Sequence, residues 1–263
     1  LIIKMKELQK ISILLPTFNC QAIVNSTLDS IKWADEIIVI DSFSDDDTIK
    51  IASKYGARIF QHEYINSAKQ KNWSLQHCSH EWVFQIDSDE ILEGKAEEII
   101  RDAINNVGEN THCFKMPRKN HVLGKWVKYG GLYPDWEYRL FRKEHGKWWD
   151  REVHSRIVVP GEVETLETPL IHHGMPNISK QILNLDRYTR YEANYMSRNN
   201  VKFSWVKWFL KPIFIFFSRY VFQQGFRDGW RGLFLAVYYA FYSFLSHTKF
   251  YEIQLLKLKR SPE

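Results

Sequence analysis

Acidic side chains directly follow an apolar segment at residues 82–86, where Asp87, Ser88, Asp89 and Glu90 come in succession. An apolar run of this length predicts a buried strand, and open α/β sheets bind ligands at the carboxyl ends of such strands. Asp87 and Asp89 can direct carboxylate oxygens to one point, which suits Mg²⁺ or Mn²⁺ bound together with a substrate phosphate. Taken alone, so short a pattern more often marks a polar turn before a helix.

A second strand of the same kind, at residues 36–40, runs directly into Asp41. Asp41 either faces a ligand at that edge of the sheet or caps the loop before the next helix. Neither a G-x-G-x-x-G motif nor a G-K-[ST] motif occurs in the sequence, so phosphate is not expected to bind a glycine-rich loop. A divalent metal ion held by carboxylates is another way to neutralise a nucleotide diphosphate.

Strand and helix patterns alternate over the first 110 residues. Strands are expected at 11–15, 36–40, 58–61 and 82–86, and helices at 21–33, 46–55, 68–78 and 95–106. Strands separated by single helices predict a parallel sheet with right-handed crossovers. Shorter strands follow at 113–116, 126–129, 138–142 and 156–159, and a helix at 178–197. We expect a first domain over residues 8–177, with an antiparallel extension of its sheet, and a helical region over 178–263.

Composition places the protein among globular chains of a reducing compartment. Of its 263 residues, 44% are hydrophobic and 25% are charged, which are ordinary globular values. Three cysteines are too few for a disulfide framework, and no signal peptide is apparent. Charge is uneven, because residues 198–263 hold eleven Lys or Arg against three Asp or Glu, whereas residues 1–197 are mildly acidic.

The C-terminal region, residues 203–251, combines many Phe, Trp and Tyr side chains with basic ones. Its uncharged stretch between Arg231 and Lys249 lies at the lower limit of length for a membrane-spanning helix. A pair of amphipathic helices lying in the membrane interface is the favoured interpretation. The alternative is packing on the protein's own core or on a second subunit, so a homo-oligomer stays open. Nucleic acid is not expected as a partner, since no binding module is recognised.

Five segments, in this order along a single chain, resemble a known enzyme family. Residues 11–19 (ISILLPTFN), 38–48 (IVIDSFSDDDT) and 85–90 (QIDSDE) resemble the opening motifs of the family-2 inverting glycosyltransferases. Residues 68–73 (AKQKNW) and 133–142 (YPDWEYRLFR) resemble the lipopolysaccharide-core β-glycosyltransferase branch. The resemblance implies an α/β fold of the GT-A type, with a Rossmann-like, mostly parallel sheet, a small antiparallel extension and a C-terminal helical, membrane-associated appendage.

The resemblance also implies roles for particular residues. Those placed at the nucleotide sugar are Pro16, Thr17, Asp41, Lys69, Asn72, Asp87, Ser88 and Arg139. The metal ligands would be Asp89, favoured as the direct one, and Asp87. His173, from a group that also includes His154 and His172, is a candidate late ligand. For Lys69 and Asn72 a solvated helix face is an equal alternative, and for the histidines a bond to the backbone.

Inversion at an anomeric carbon needs a general base that takes the proton from the attacking acceptor hydroxyl. Asp135 is favoured because its expected position in a turn would aim it into a cleft. Glu137, expected at the start of a strand, is the alternative base. Either carboxylate could instead form a charge pair with Arg139 or Arg142. The branch usually has Val-His-Glu where this chain has serine after His154, so Glu152, the nearest substitute, is not favoured.

These observations together predict a metal-dependent inverting glycosyltransferase. It would transfer a sugar from a nucleotide diphosphate, favoured as UDP-linked, to a hydroxyl of a lipid-linked saccharide such as lipopolysaccharide core. The expected location is cytoplasmic, peripheral on the inner face of the cytoplasmic membrane. A sugar-phosphate nucleotidyltransferase is a lesser alternative, because its usual glycine-rich loop is missing. A non-catalytic, membrane-docked saccharide-binding protein would need neither a metal site nor a base.

Overall fold

The computed structural model describes residues 8–149 and 156–260, apart from the side chains of residues 258–260. Its strands are β1 (Ile11–Thr17), β2 (Glu36–Asp41), β3 (Arg58–Gln61), β4 (Trp82–Gln85), β5 (Glu90–Leu92), β6 (Thr111–Val122), β7 (Lys125–Trp126), β8 (Asp135–Arg142), β9 (Lys147–Trp148), β10 (Ile157–Val158), β11 (Glu162–Thr165) and β12 (Leu170–Met175). Its α-helices are α1 (Val24–Ile31), α2 (Thr48–Lys54), α3 (Ser67–Ser74), α4 (Ala96–Asn106), α5 (Ile178–Arg198), α6 (Trp205–Phe217) and α7 (Trp230–Arg260).

The main sheet has the strand order β3-β2-β1-β4-β8-β6-β12-β5, and β7 and β11 pair with β6. Strand β1 is parallel to both β2 and β4, and β2 is parallel to β3. Antiparallel pairing begins where β8 joins β4. The expected fold class is therefore confirmed: a mostly parallel α/β core carries an antiparallel extension and is followed by a helical region.

The parallel strands form because their apolar side chains are buried on both faces of the sheet. In β1, Ile13 and Leu15 contribute to one core cluster, whereas Leu14 belongs to the cluster on the opposite face. Strand β4 alternates in the same way, with Phe84 in the first cluster and Val83 in the second. Continuous apolar runs of this kind are typical of parallel strands covered by helices. The acidic residues that end these runs therefore lie at one edge of the sheet.

Several elements of the extension differ in length from those expected. Strand β6 covers residues 111–122 where only 113–116 were predicted, because polar side chains within it, Arg118 among them, interrupt the apolar pattern. Strand β8 begins at Asp135, three residues before its predicted start. Strand β5 is unpredicted, since three residues are too few to show a period. The strand expected at 126–129 ends at Trp126.

Internal contacts divide the chain into two compact units. The first comprises the described residues up to Arg118 together with those from Trp136 to His172. The second comprises Lys119–Asp135 together with the described residues from His173 onward. Within the second unit, α7 packs against both α5 and α6. Of the helices in residues 8–149 and 156–260, none has the length and apolar character that crossing a bilayer requires.

Candidate active site

Asp87 lies just after β4 with its carboxylate surrounded by donors. Its Oδ1 accepts hydrogen bonds from Lys71 Nζ at 3.1 Å and Gln85 Nε2 at 2.8 Å. Its Oδ2 accepts from Arg139 Nη2 at 3.1 Å. Burial acts to raise the pKa of Asp87, but the two cations lower it below its ordinary value. The side chain is still 36% exposed, so an ionised carboxylate faces solvent at the edge of the sheet.

Glu90 and Arg139 form the buried support of this acidic loop. Both are buried, and Arg139 Nη2 lies 2.5 Å from Glu90 Oε1. Glu90 Oε2 accepts the backbone N–H of Asp87 at 3.1 Å, while Arg139 Nη1 donates to Gln85 Oε1. Arg118 Nη1 lies 3.5 Å from Glu90 Oε1. Burial raises the pKa of Glu90 against the pull of Arg139. Arg139, expected at the nucleotide sugar, thus holds the loop from its buried side.

Asp89 has a histidine as its neighbour. Strands β5 and β12 pair antiparallel with Glu90 opposite His172, and this register brings His172 Nε2 to 3.6 Å from Asp89 Oδ2. Although burial acts against both charges, the contact lowers the pKa of Asp89 and raises that of His172. His173, the histidine favoured from sequence, belongs to the second unit, where its ring centroid lies 5.1 Å from that of His121.

Two further residues weighed from sequence, Glu152 and His154, lie outside the described residues. Within the described ranges, 8–149 and 156–260, no group of three or more His, Cys, Asp or Glu side chains is arranged to hold a metal ion. The residues that could contribute to such a site are therefore a pair, Asp89 and His172, beside the partly exposed carboxylate of Asp87.

Asp41 is fully buried at the end of β2. In-register pairing of β1 with β2 sets it opposite Thr17, whose Oγ1 donates to Asp41 Oδ1 at 2.9 Å. Ser44 donates to the same carboxylate through its Oγ, at 2.6 Å, and through its backbone N–H, at 2.7 Å. These bonds shape the turn in which Phe43 has a φ of +60° and an exposed ring. The Asp41 carboxylate therefore accepts hydrogen bonds from Thr17 of β1 and from Ser44 in the loop that follows β2.

The remaining candidates near the two strand ends are Pro16 and Ser88. Pro16 is half-buried in β1 opposite Ile40 of β2. The Ser88 carbonyl accepts a hydrogen bond from Thr27 Oγ1 of α1 at 2.9 Å. This bond ties the acidic loop to the first helix, so Ser88 helps to fix the loop through its backbone.

Helix α3 contributes a different side chain from those expected. The side-chain amide of Asn72 forms two hydrogen bonds with the backbone of Trp148, each of 2.8 Å. Asn72 Nδ2 donates to the Trp148 carbonyl, and the Trp148 N–H donates to Asn72 Oδ1. Lys69 is exposed near the start of the helix. It is Lys71, buried and 3.1 Å from Asp87, that reaches the acidic loop. Lys71 lies three residues after Ala68, which is fully buried, so the two residues share the inward face of the helix.

The two candidate bases lie on the first residues of β8. Asp135 opens the strand, and its Oδ2 accepts a hydrogen bond from Asn120 Nδ2 at 2.9 Å within the second unit. Glu137 Oε1 lies 3.0 Å from Arg118 Nη2 within the first unit. Glu137 therefore forms a charge pair, which was one of the alternatives expected for these carboxylates. Its partner is Arg118, whereas the sequence suggested Arg139 or Arg142.

The chain from residue 12 to residue 159 matches the family model described as glycosyl transferase family 2. The protein belongs to that family. Over 249 residues and 92% of both chains, it is 26% identical to the lipopolysaccharide core biosynthesis glycosyltransferase LpsC of Rhizobium meliloti (strain 1021). Over 94% of this chain and 92% of the other, it is 24% identical to an uncharacterized glycosyltransferase of Rickettsia conorii.

Solved structures with the same fold include the glucosyl-3-phosphoglycerate synthase of Mycobacterium tuberculosis in complex with Mn²⁺, UDP and glucosyl-3-phosphoglycerate. The match has 20% sequence identity and a TM-score of 0.50, and covers 74% of this chain and 81% of the other. At that identity the likeness establishes the GT-A fold of this family-2 glycosyltransferase. The family and fold expected from the sequence motifs are thus confirmed.

Proposed function

We propose that this family-2 enzyme is a metal-dependent inverting glycosyltransferase that uses a UDP-sugar and a lipid-linked saccharide acceptor. The pair formed by Asp89 and His172 beside the carboxylate of Asp87 carries the proposal. The UDP and Mn²⁺ bound by the mycobacterial synthase support the donor and the ion. The name of the Rhizobium relative supports a lipopolysaccharide-core acceptor or a similar cell-envelope glycan.

Asp89 and His172 fit a divalent cation by their chemistry and their spacing. A carboxylate oxygen and an imidazole nitrogen together suit Mn²⁺, while oxygen ligands suit Mg²⁺. Two adjacent ligand atoms that each lie ~2.1 Å from one octahedral ion are separated by about 3.0 Å. The observed separation is 3.6 Å, so a small side-chain movement would bring both atoms to one ion. A bound ion would offset the charge that develops on the departing diphosphate. His172 takes the place of His173 in this proposal.

The chain's own residues prepare the donor side. Lys71 and Arg139 keep the pKa of Asp87 low, so this carboxylate is ionised at neutral pH and can accept hydrogen bonds from the nucleotide. Glu90 holds the Asp87 backbone N–H and thereby fixes the path of the loop. Each of these residues acts by positioning an acidic group before the substrate arrives, which lowers the cost of reorganisation.

Asp135 is the proposed general base. Its Oδ2 accepts a hydrogen bond from the side-chain amide of Asn120, which orients the carboxylate. It would take the proton of the acceptor hydroxyl as the oxygen attacks the anomeric carbon. Glu137, whose carboxylate is paired with Arg118, is the alternative base.

The outer face of α6 is the proposed membrane contact. Among the side chains described in this helix none is buried. Large apolar side chains exposed on it are Trp205, Val206, Phe209, Leu210, Ile213, Phe214 and Phe217. Exposed Lys207 and Lys211 lie among them. Aromatic and basic side chains on one helix suit the interface of an anionic bilayer. A peripheral position on the inner face of the cytoplasmic membrane would bring the enzyme to a lipid-linked acceptor. Self-association stays a prediction, and nucleic acid has no part in the proposal.

Calorimetric titration of UDP, GDP, ADP and dTDP, each with and without Mn²⁺, tests the donor site. We expect UDP to bind in a metal-dependent way, and we expect Asp89→Asn and His172→Gln to remove that dependence. The matched control is Asp102→Asn, which changes an exposed carboxylate on α4. Equal UDP affinity with and without Mn²⁺ in the unmodified protein, or unchanged metal dependence in Asp89→Asn, would show that the metal assignment is wrong.

A further inference from the structure

The connection between α6 and α7 has an unusual backbone. We use the name "connection segment" for residues 218–231. It starts with a π-helical turn, Ser218–Phe222, continues through Gln224 at a φ of +58°, and forms a 3₁₀ turn, Gly225–Asp228. Short π-helical turns are rare and occur often at functional sites. The connection segment therefore has a defined backbone conformation, unlike a flexible linker.

The connection segment exposes large apolar side chains. Phe222 is 76% exposed, Trp230 is 54% exposed, and Val221 and Phe226 are also exposed. A turn between two helices is usually polar, because each exposed phenyl group forgoes the favourable transfer from water into an apolar phase. Such side chains next to Arg227, an exposed residue, match the composition of segments that insert into the interface of an anionic bilayer.

The same segment binds the loop at residues 122–131. Asp228 Oδ2 accepts the backbone N–H groups of Lys128, at 3.0 Å, and Tyr129, at 2.7 Å. The backbone N–H of Gly130 donates to Gln223 O at 2.9 Å. One carboxylate and one carbonyl of the connection segment thus accept three successive amide protons of the loop.

Arginine side chains of the connection segment complete this attachment. Arg219 Nη1 donates to Gly130 O at 2.7 Å. Arg231 donates to the carbonyls at the other end of the loop, from Nε to Val122 O at 3.0 Å and from Nη2 to Leu123 O at 3.2 Å. The loop is therefore held at both ends by charged donors, whose hydrogen bonds are stronger than those of neutral groups.

Close packing makes the attachment specific. Gly131 has a φ of +73°, and a Cβ at this position would lie 2.2 Å from Gln223 Oε1. A Cβ on Gly225 would lie 2.7 Å from the backbone oxygen of Arg219. The first contact is between the loop and the connection segment, whereas the second lies within the connection segment and restricts its own turn.

In the sequence, the loop lies between Asp135, the proposed base, and Asn120, its hydrogen-bond partner. Asn120 precedes the loop and Asp135 follows it, and their side chains share a hydrogen bond of 2.9 Å. Asn120 Nδ2 also approaches Leu132 O at 3.4 Å. All these residues belong to the second unit. A change in the order of the loop therefore reaches the carboxylate that, under the proposed function, accepts the proton.

We propose that the connection segment inserts into an anionic bilayer and that its insertion orders the loop that leads to Asp135. Attachment to the membrane would then activate the enzyme as well as locate it. This inference rests on the proposed function for the role of Asp135, whereas the insertion and the ordering do not depend on it. An anionic bilayer is the partner that best matches this segment, because its exposed residues are aromatic side chains and an arginine. Residues of these types are favoured at the interface with anionic headgroups.

Hydrogen exchange of the full chain with and without vesicles tests the inference. We expect vesicles of phosphatidylcholine and phosphatidylglycerol to slow exchange at the amides of Lys128, Tyr129 and Gly130 by about 10-fold or more. Vesicles of phosphatidylcholine alone should have a much smaller effect. The double variant Phe222→Ser/Phe226→Ser should lose the slower exchange, and it should sediment more weakly because only α6 would then contact the vesicles. Leu183→Ser, which changes an exposed apolar side chain on α5, is the matched control and should retain both.

A second variant separates insertion from coupling. Asp228→Ala removes the acceptor of two loop amides and leaves the apolar side chains in place. It should sediment with vesicles as the unmodified protein does, but without slower exchange at Lys128 and Tyr129. Circular dichroism checks that each variant is folded.

Three outcomes would overturn the inference. One is vesicle binding that leaves exchange in the loop unchanged. Another is no vesicle binding at all. The third is a concentration-dependent dimer that Phe222→Ser/Phe226→Ser abolishes, which would identify a second copy as the occupant. Neither assay needs a substrate, so failure of the calorimetric test of UDP would contradict the proposed function and leave this inference standing.

Discussion

Replacing Arg139 by leucine removes the cation that two acidic groups share. Arg139 is buried and contacts Glu90 at 2.5 Å and Asp87 at 3.1 Å. Glu90 has no exposed surface, so its carboxylate cannot be rehydrated unless the loop opens. Breaking a buried ion pair by removing one partner typically costs ~3–5 kcal/mol. We expect a loss of this size in the free energy of unfolding, which is a large share of the ~5–15 kcal/mol that stabilises a native protein.

Urea unfolding followed by tryptophan fluorescence measures this loss, and hydrogen exchange in β4 and β8 assigns it to the first unit. Arg190→Leu is the control, since Arg190 forms an exposed ion pair with Asp186 on α5 and should cost at most ~1 kcal/mol. The double variant Arg139→Leu/Glu90→Leu should recover ~0.5–3 kcal/mol relative to the sum of the single variants. It removes the buried Glu90 carboxylate, which in Arg139→Leu keeps only the longer contact with Arg118, at 3.5 Å.

Two results would refute the reasoning. A loss below ~1 kcal/mol in Arg139→Leu would mean that water reaches Glu90 in the native state and solvates it. Strict additivity in the double variant would mean that the two side chains do not interact, whatever their distance. Either result would also remove the argument that Arg139 positions the loop before substrate binds.

Asp135→Asn should retain affinity for UDP but lower the transfer rate by ~10²–10⁴, the usual contribution of a general base. If Glu137→Gln has the larger effect in a transfer assay, Glu137 is the base. Glu36 has its pKa lowered to about 2, because hydrogen bonds from Ser12 and Ser79 outweigh the opposing effect of burial. Its stabilising contribution, at most ~3 kcal/mol, is therefore full above its ordinary pKa of 4.5 and is lost as pH falls toward 2. Urea midpoints from pH 6 to pH 3 should decline less in Glu36→Gln than in the unmodified protein, and parallel declines would contradict the assignment.

Local patterns in the sequence were sufficient for the parallel strands and for the acidic loop. The apolar runs that form β1, β2 and β4 are buried on both faces of the sheet. Their apolar composition is therefore enough to predict that they are strands. Asp87 and Asp89 could be found because they end such a run. Their family motif then supplied the chemistry, which no spacing rule contains.

Contacts between segments that are distant in the sequence determine which histidine and which lysine lie at the acidic loop. Whether His172 or His173 lies beside Asp89 depends on the register of β12 against β5, and a slip of one residue would exchange the two faces. That register is set by pairing across some eighty residues of chain. Likewise, Lys69 and Lys71 both lie on α3, but only the packing of that helix determines which one is buried.

The attachment of residues 122–131 to the connection segment also bears on how modular this protein is. A fragment that ended at residue 177, where the sequence suggested a domain boundary, would lack Asp228, Gln223 and Arg219. Three successive amides of the loop and the Gly130 carbonyl would lose their partners. The C-terminal residues thus complete the hydrogen bonding of this loop. A substitution in the connection segment that removes one of these partners therefore leaves a group of the loop before Asp135 without its hydrogen bond.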